Sequence, residues 1–329
     1  MTAPPDLGIG GPRLRHNRAA DCLALLVRCH QRLAAAVWRP SVKIRKPMFK
    51  VRSARIILRF AALAIIGVLT SAGFNDAVTA KTKTNNVRIQ YEEPSDPAYR
   101  SIYDRSKELR VLEYVQELLL PIRFPRPLTL KLKSCDGVVN AWYDGDDVTV
   151  CYEFVSEILK NAPEHDAPAG ITRQDTIAGS LLDVFLHEAG HAVFDMLSVP
   201  LFGREEDAAD QFSAYIMLQY DKTRARRLIL GSAYQYKVDM PGTEVTVAMK
   251  KFSDEHGIPA QRFYNVLCMA YGADQNLFAD IVEKGYLPRD RSEGCKDEYH
   301  QISFAFKTLI TPNIDRARAK RALKRRFKS

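Results

Sequence analysis

The sequence lacks several patterns that would assign it to a class at once. Its longest uninterrupted apolar run, residues 60–69, is about half of the roughly 20 residues that a membrane-spanning helix needs. No segment repeats with a period of roughly 20 to 50 residues, and no two cysteines have the CxxC spacing of a zinc knuckle. A repeat architecture and a cysteine-based metal site are therefore poor descriptions. With 46% hydrophobic and 26% charged residues, the chain has the composition of a folded protein.

The net charge of +9 is concentrated at the two ends of the chain. Residues 1–80 hold 13 Lys or Arg and 3 Asp or Glu, and residues 316–329 hold 8 Lys or Arg with no acidic residue. The part between them, 81–315, has 36 acidic and 27 basic side chains. A mildly acidic body does not predict nucleic-acid binding. We interpret the basic tail, 316–329, as a solvated terminus, with weak binding to an anionic lipid or nucleic acid as the alternative.

Residues 1–80 have the order of an export leader. From Met48 the chain runs through a basic stretch, then the apolar run, then small residues. Small or modest side chains at Val78 and Ala80 favour cleavage after Ala80, with 71–73 as the second choice. We therefore expect a periplasmic or secreted protein, which meets the membrane only through its signal segment or weakly through its tail.

The residues ahead of this signal leave two interpretations open. Either Met48 is the true start, or 1–47 is a transit-like extension. We favour the first, because 48–80 is complete as a signal peptide. On either interpretation the leader is followed by one domain at 81–315 and by the basic tail at 316–329.

Four cysteines follow the leader, and an even number is typical of disulfides in exported proteins. Four cysteines allow three pairings. We favour sequence neighbours, Cys135 with Cys151 and Cys268 with Cys295. Each bond would close a modest loop and stabilise the fold by about 3 kcal/mol in the chain-entropy model.

Strand-like segments come early in the body of the chain. After a polar entry segment and a helical pattern over 98–120, strands are predicted at 128–132, 138–143 and 148–154. A turn signal at 144–147 joins the last two as a hairpin.

Helix-like segments follow the strands. Apolar spacing predicts a long helix over 172–197 and a second over 204–220, and helical character continues to about residue 310. Strands gathered early and helices gathered late predict an α+β fold.

The segment HEAGH at 187–191 is the strongest motif in the sequence. Residues four apart lie on one helix face, so His187 and His191 can bind one metal ion with Glu188 beside them. Zinc lowers the pKa of a bound water toward about 7, and Glu188 would accept the water's proton, which is the chemistry of amide hydrolysis. The flanking residues are uncharged, as expected of a buried active-site helix. The alternative is two surface histidines on an ordinary helix.

A third zinc ligand is expected in the acidic segment that opens the next helix. Glu205, Glu206 and Asp207 could simply complement the helix dipole. We favour Glu206 as the ligand, because it is four residues from Asp210, which could orient a ligand histidine, with the small Ala209 between them.

Two resemblances follow from these motifs. The pattern His187-Glu188-x-x-His191 followed by Glu206-x-x-Ala209-Asp210 resembles that of glutamate zincins such as thermolysin-like peptidases. The region 128–300 resembles a bacterial metallopeptidase family still known as a domain of unknown function. That second likeness includes segments NAWY at 140–143 and CYE at 151–153, HEAGHA, and Cys268 and Cys295 with the Tyr271-Gly272 pair.

The resemblance implies a zincin-like fold, with a small antiparallel sheet whose edge strand lies over the zinc and binds extended substrate. Asn140, Ala141 and Trp142 match the opening of that strand, with an ordinary hairpin strand as the alternative. By residue type alone, Tyr215, Tyr299 and His300 are candidates for stabilising an oxyanion, although a core or surface role is favoured for each. We interpret His165 and His256 as surface residues.

The sequence as a whole predicts an exported zinc metallopeptidase that acts on a peptide or protein. One alternative is a zinc-binding protein that holds peptides or envelope partners without cutting them. Another is a zinc hydrolase of a non-peptide bond. The intact set of His187, Glu188 and His191 argues against the inactive protein, because loss of the base is the usual route to inactivity.

Overall fold

The computed structural model describes residues 87–165, 167–238 and 249–324, which lie in the compact unit Ala77–Ser329. The predictions for the leader, including the start at Met48 and cleavage after Ala80, fall outside the described residues. Within the described part, a small sheet comes first and helices make up most of the rest.

Four strands form one sheet: β1 (Val87–Tyr91), β2 (Leu128–Lys133), β3 (Ala141–Tyr143) and β4 (Asp147–Cys151). Their order across the sheet is β1-β2-β4-β3, which puts β3 at an edge. β3 pairs with β4 antiparallel as the predicted hairpin, but β1 with β2 and β2 with β4 are parallel. The expected antiparallel sheet is therefore wrong, and the sheet is mixed.

The parallel β1–β2 pair arises from β1, which the sequence analysis took as a polar entry segment. The parallel β2–β4 pair arises because β4, and not β3, lies beside β2. Two helices connect β1 to β2, and a helical crossover of this kind returns the chain in the parallel direction. β2 shows the alternation that predicts a half-buried strand, with buried leucines at 128, 130 and 132 between half-buried polar side chains.

The described residues contain eleven α-helices. They are α1 (Arg100–Glu108), α2 (Val111–Leu119), α3 (Tyr152–Asn161), α4 (Arg173–Met196), α5 (Glu205–Met217), α6 (Lys222–Val238), α7 (Pro259–Ala273), α8 (Ala279–Glu283), α9 (Arg289–Ser292), α10 (Cys295–Ala305) and α11 (Arg316–Ala322). Short 3-10 turns lie at Pro97–Tyr99, Pro168–Gly170, Met249–Ser253 and Thr311–Asn313, and a π turn at Phe306–Ile310. The structure thus agrees with the coarse α+β expectation.

The helix predicted over 98–120 is two helices. Arg110, between α1 and α2, has the left-handed backbone conformation at φ 57°. The hydroxyl of Tyr91 accepts a hydrogen bond from the Leu112 N–H at 2.8 Å and donates one to Glu113 at 2.8 Å. The first turn of α2 is therefore fixed by a side chain from β1, a contact that periodicity could not reveal.

Helix α4 is the centre of the fold, and 17 of its 24 residues are buried. It begins with a capping box: the Asp175 N–H donates to the Thr172 hydroxyl, and the Asp175 carboxylate accepts the Thr172 N–H, each at 3.1 Å. It packs against β3, β4, α5 and α6. The helix that apolar spacing predicted over 172–197 has nearly these bounds.

The backbones of α4 and α6 touch where each helix has a glycine. A Cβ atom added at Gly231 would lie 2.0 Å from the Asp175 carbonyl oxygen, and one added at Gly179 would lie 2.4 Å from the Leu228 carbonyl oxygen. These glycines therefore allow the closest approach between the two helices.

Two disulfides link the pairs of neighbouring cysteines that the sequence analysis favoured, Cys135 with Cys151 and Cys268 with Cys295. Disulfides persist in oxidising compartments, so both bonds are compatible with an extracellular protein. Separately, none of the helices among the described residues has the length and hydropathy that a bilayer span requires.

The start of the basic tail is helical. Asp315 caps α11 by accepting the N–H groups of Ala317 and Arg318, each at 3.0 Å, and Ala322 is buried. The basic side chains of α11 are exposed.

Replacing Gly231 by Ala should destabilise the protein by about 3 kcal/mol, because the new methyl group forces the backbones of α4 and α6 apart. Gly294→Ala is the matched control: its added Cβ would meet no atom closer than 3.8 Å, and its φ is −86°. Chemical denaturation of both variants checks this. Equal midpoints for the two would contradict the close helix contact.

Candidate metal centre

The HEAGH segment and the acidic start of α5 are brought together by close packing of α4 and α5. A Cβ atom added at Gly190 would lie 3.2 Å from the Cα atom of Ala209, so little space separates the two backbones. This approach lets His187 and His191, on α4, meet Glu206 on α5.

Three potential ligand atoms converge between the two helices. The Nε2 atoms of His187 and His191 are 3.3 Å apart, and the Glu206 carboxylate lies 2.9 Å from the first and 3.5 Å from the second. Glu205 and Asp207 do not share this position. Glu205 contacts the other ring nitrogen of His191, and Asp207 pairs with an arginine outside the site. Of the three acids, Glu206 is the one beside both Nε2 atoms.

These distances fit a metal ion. A tetrahedral zinc ion with Zn–N bonds of about 2.0–2.1 Å holds its nitrogen ligands about 3.3 Å apart. The separation of His187 Nε2 and His191 Nε2 matches that value at 3.3 Å. Two imidazole nitrogens that face each other share at most one proton between them, whereas both can direct a lone pair at a cation. Two imidazoles and one carboxylate also make up a donor set that catalytic zinc sites use.

Each histidine is held by a carboxylate at its other ring nitrogen. His187 Nδ1 lies 2.8 Å from Asp210 Oδ1, and His191 Nδ1 lies 2.8 Å from Glu205 Oε1. A proton on Nδ1 in these bonds leaves the Nε2 lone pair for a metal and fixes the orientation of the ring. The bond to Asp210 is buried, whereas the Glu205 side chain is 51% exposed.

Arg262, on α7, holds Asp210 in turn, and the sequence analysis missed it. The guanidinium donates to Asp210 Oδ2 at 2.8 Å and to Oδ1 at 2.6 Å, and it also donates to the Tyr236 hydroxyl at 3.0 Å. A single arginine 52 positions after its partner carries no spacing signal, so only the packing of α7 reveals the contact.

The carboxylates set the charge of the site. Burial, the largest influence, lowers the pKa of His187, but hydrogen bonds to Asp210 and Glu206 outweigh it and raise that pKa to about 10. Burial raises the pKa of Asp210, but the Arg262 charge and the hydrogen bond to His187 lower it to about 2. The two carboxylates thus keep their negative charge in a buried place, which favours a cation there.

Glu188 lies beside these donors in a cavity of about 100 Å³ that His187 also lines. It is buried, and burial raises the pKa of its carboxyl group, against the opposing effect of the neighbouring histidines. A raised pKa brings a carboxylate closer to the range in which it exchanges protons efficiently near neutral pH.

The predicted substrate strand reaches the same cavity in part. Asn140 and Ala141 line it. Trp142 does not, and its indole N–H instead donates to Asp144 at 3.3 Å. Asn140 precedes β3, and within β3 successive side chains point to opposite faces, so Ala141 and Trp142 do not both face the cavity.

His256 reaches the site from the loop before α7. Its Nε2 atom lies 2.8 Å from Glu206 Oε2, and its ring stacks on that of His187 with centroids 5.8 Å apart. The His256 side chain is 46% exposed, as the sequence analysis expected of a surface residue. The sequence analysis missed its contact with Glu206. His165 is exposed, as expected.

The residues considered by type for oxyanion stabilisation lie elsewhere. Tyr215 is buried in the core, where its ring stacks on Tyr299 at 6.0 Å and packs on Phe306 at 4.4 Å. His300 is exposed on α10. None of the three candidates lines the cavity beside Glu188.

Comparison with known protein families gives one match. A family model described as "Putative metallopeptidase" matches residues 91–310, about two thirds of the chain. No curated protein and no solved structure matches the chain. The matched residues include β2 to β4 and α4 to α7, and therefore all of the side chains that converge between α4 and α5.

Arg262→Met should destabilise the protein by about 3 kcal/mol, because it leaves the buried Asp210 carboxylate without its cation. Lys222→Met is the control. Lys222 also pairs with an aspartate, at 2.7 Å, but its side chain is 76% exposed, and loss of such a pair costs under about 1 kcal/mol. Urea denaturation in the presence of a metal chelator measures the stability of both variants. A similar small loss in both variants would show that the Arg262 pair is not a buried one.

Proposed function

This chain belongs to the metallopeptidase family matched over residues 91–310, and from that premise we propose that it is an exported zinc peptidase. The observation that carries the proposal is the convergence of His187 Nε2, His191 Nε2 and the Glu206 carboxylate within 3.5 Å of one another. A histidine pair and a carboxylate at these distances support zinc in preference to the harder cations magnesium and calcium, which favour oxygen donors.

In the proposed reaction His187, His191 and Glu206 hold the metal. A zinc ion held there would supply Lewis-acid chemistry: it would polarise a substrate carbonyl and lower the pKa of a water molecule toward about 7. Glu188 accepts the proton of the attacking water and passes it to the leaving amine. Burial of Glu188 next to the donors supports this role, since its raised pKa suits proton transfer in both directions.

Asp210 and Glu205 act through the histidines. By holding the Nδ1 protons, they fix which nitrogen of each ring faces the metal. Asp210 orients its histidine more firmly than Glu205 does, because Asp210 is buried and anchored by Arg262, while Glu205 is half exposed.

We also propose a zincin-like arrangement of sheet and helix, in which β3 binds extended substrate. β3 pairs with β4 on one side and is the edge of the sheet in the described part of the chain. It packs against α4, and the residues at its start, Asn140 and Ala141, line the cavity beside Glu188. A peptide added to this edge would therefore run past the metal donors.

Export to the periplasm or the medium completes the proposal. The two disulfides support it, because such bonds are rare in proteins that stay in the reducing cytoplasm. The expected substrate is a peptide or protein in that compartment.

Glu188→Gln should bind zinc as tightly as the wild type and should cleave peptides at least about a hundredfold more slowly, because the base acts in the reaction and not on the metal. Zinc content by elemental analysis and digestion of an unbiased peptide library measure the two properties. Unchanged turnover in this variant would remove Glu188 from the mechanism, and absence of cleavage by the zinc-loaded wild type would contradict the peptidase itself.

Glu206→Ala should lose zinc, whereas Glu205→Ala, its matched neighbour, should keep it with an affinity lowered by about tenfold. The first variant removes a donor atom, and the second removes only the hydrogen bond that orients His191. Titration with a chromophoric chelator compares the two. If Glu206→Ala binds zinc tightly while Asp210→Ala loses zinc, the third ligand is another residue of α5 and not Glu206.

A further inference from the structure

The cavity beside Glu188 has a polar end with unmade hydrogen bonds. It extends from Glu188 toward the start of α4, along one helix face that consists of Ser180, Asp183, Val184, His187 and Glu188. Two buried polar atoms among its lining residues, Ser180 Oγ and Gln235 Oε1, have no hydrogen-bond partner in the part of the chain that the structure describes. They are the two side-chain atoms of this kind among the described residues.

Ser180 lies toward the end of the cavity away from Glu188, and Gln235 lines the cavity from a second helix. Ser180 is eight residues before Glu188, about 12 Å along the helix axis. Gln235 is near the end of α6, which packs against α4. A buried polar group without a partner is unfavourable, and such groups in native proteins commonly mark a place where water or a ligand supplies the missing bond.

The charged groups at this end are already paired. The Asp183 carboxylate accepts hydrogen bonds from Ser213 at 2.5 Å, Ser232 at 2.7 Å and Tyr236 at 2.7 Å. Arg262 is bound to Asp210 and Tyr236. A lysine or arginine entering the cavity would find no free carboxylate at Asp183, and an acidic side chain would meet two carboxylates. The available bonds are those of the neutral groups.

The size of the cavity also limits its occupant. Its volume of about 100 Å³ is small beside the roughly 300–1,000 Å³ of pockets that bind drug-sized ligands. Phe154 and Val184 contribute apolar wall. The space therefore fits a short side chain with an apolar stem and a polar tip.

We propose that this cavity is the side-chain pocket for a substrate residue next to the scissile bond, and that it selects a small uncharged polar side chain such as Asn or Thr. A hydroxyl or amide tip can donate to Gln235 Oε1, and it can both donate to and accept from Ser180 Oγ. His187, Glu188 and the residues at the start of β3 line the same cavity, so a side chain in the pocket would come from a substrate residue close to the bond that is cut. This inference rests on the proposed peptidase function and adds the class of substrate.

The test uses pairs of side chains with the same shape and different hydrogen bonding. Peptides that differ only in Asn against Leu, or Thr against Val, at each residue flanking the scissile bond are given to the zinc-loaded, disulfide-bonded protein. The specificity constant kcat/KM should favour Asn over Leu and Thr over Val at one of these positions by about tenfold to a hundredfold, because an apolar tip leaves both buried atoms unpaired. Affinities of the same peptides for Glu188→Gln measure the pocket without cleavage.

Two variants show whether the two polar atoms cause the preference. Ser180→Ala combined with Gln235→Met makes the end of the pocket apolar and should abolish or reverse both preferences with zinc content unchanged. Ser303→Ala removes a buried hydroxyl on α10 that does not line the cavity, and should leave both preferences intact. A loss of folding would affect all peptides equally and would not exchange Asn for Leu.

Each outcome decides the proposal. The pocket proposal is overturned if the wild type favours Leu or Val. It is also overturned if the double variant keeps the wild-type preference, or if the pocket holds only water and discriminates neither pair of peptides. Cleavage without preference leaves the peptidase standing and rejects the pocket. Binding to Glu188→Gln that favours Asn, without cleavage by the wild type, supports the pocket and rejects the peptidase. If the protein neither binds nor cleaves the peptides, both the pocket and the peptidase are rejected.

Discussion

The Asp210 carboxylate, shared between His187 and Arg262, is the contact on which the site depends. It joins three helices, since His187 lies on α4, Asp210 on α5 and Arg262 on α7. A buried charge is tolerated only when it is paired and fully hydrogen-bonded, so the packing of α7 and the orientation of the histidine ring are not independent. The stability of the helix bundle and the geometry of the donors are secured by the same few bonds.

The same network continues into the wall of the cavity. Arg262 donates a hydrogen bond to Tyr236 on α6, and Tyr236 donates one to Asp183, which lies on α4. These bonds hold the His187 ring at one end of the network and the cavity wall at Asp183 at the other end, without any bound ligand. Such preorganisation lowers the cost of ordering groups during binding and reaction.

The sequence predicted what local pattern encodes. The apolar spacing over 172–197 and the i,i+4 spacing of His187 and His191 are local patterns, and both appear in the structure as α4. The direction of β1 and the break at Arg110 depend on tertiary contacts, such as that of Tyr91 with α2, and were missed. The partners that come from far along the chain were missed for the same reason: Arg262 and His256 reach the site from the segments beyond α6, with no spacing to announce them.

The bond between Cys135 and Cys151 bears on when the protein can work. It ties the loop ahead of β3 to the end of β4, and the same loop is held by the Glu153 carboxylate, which accepts the N–H groups of Cys135 and Gly137. That loop delivers Asn140 to the cavity. In a reducing cytoplasm the covalent tie is absent. Under the proposed export, a newly made chain would lack this covalent tie at the cleft edge while it remains in the cell, and would gain it only in an oxidising compartment.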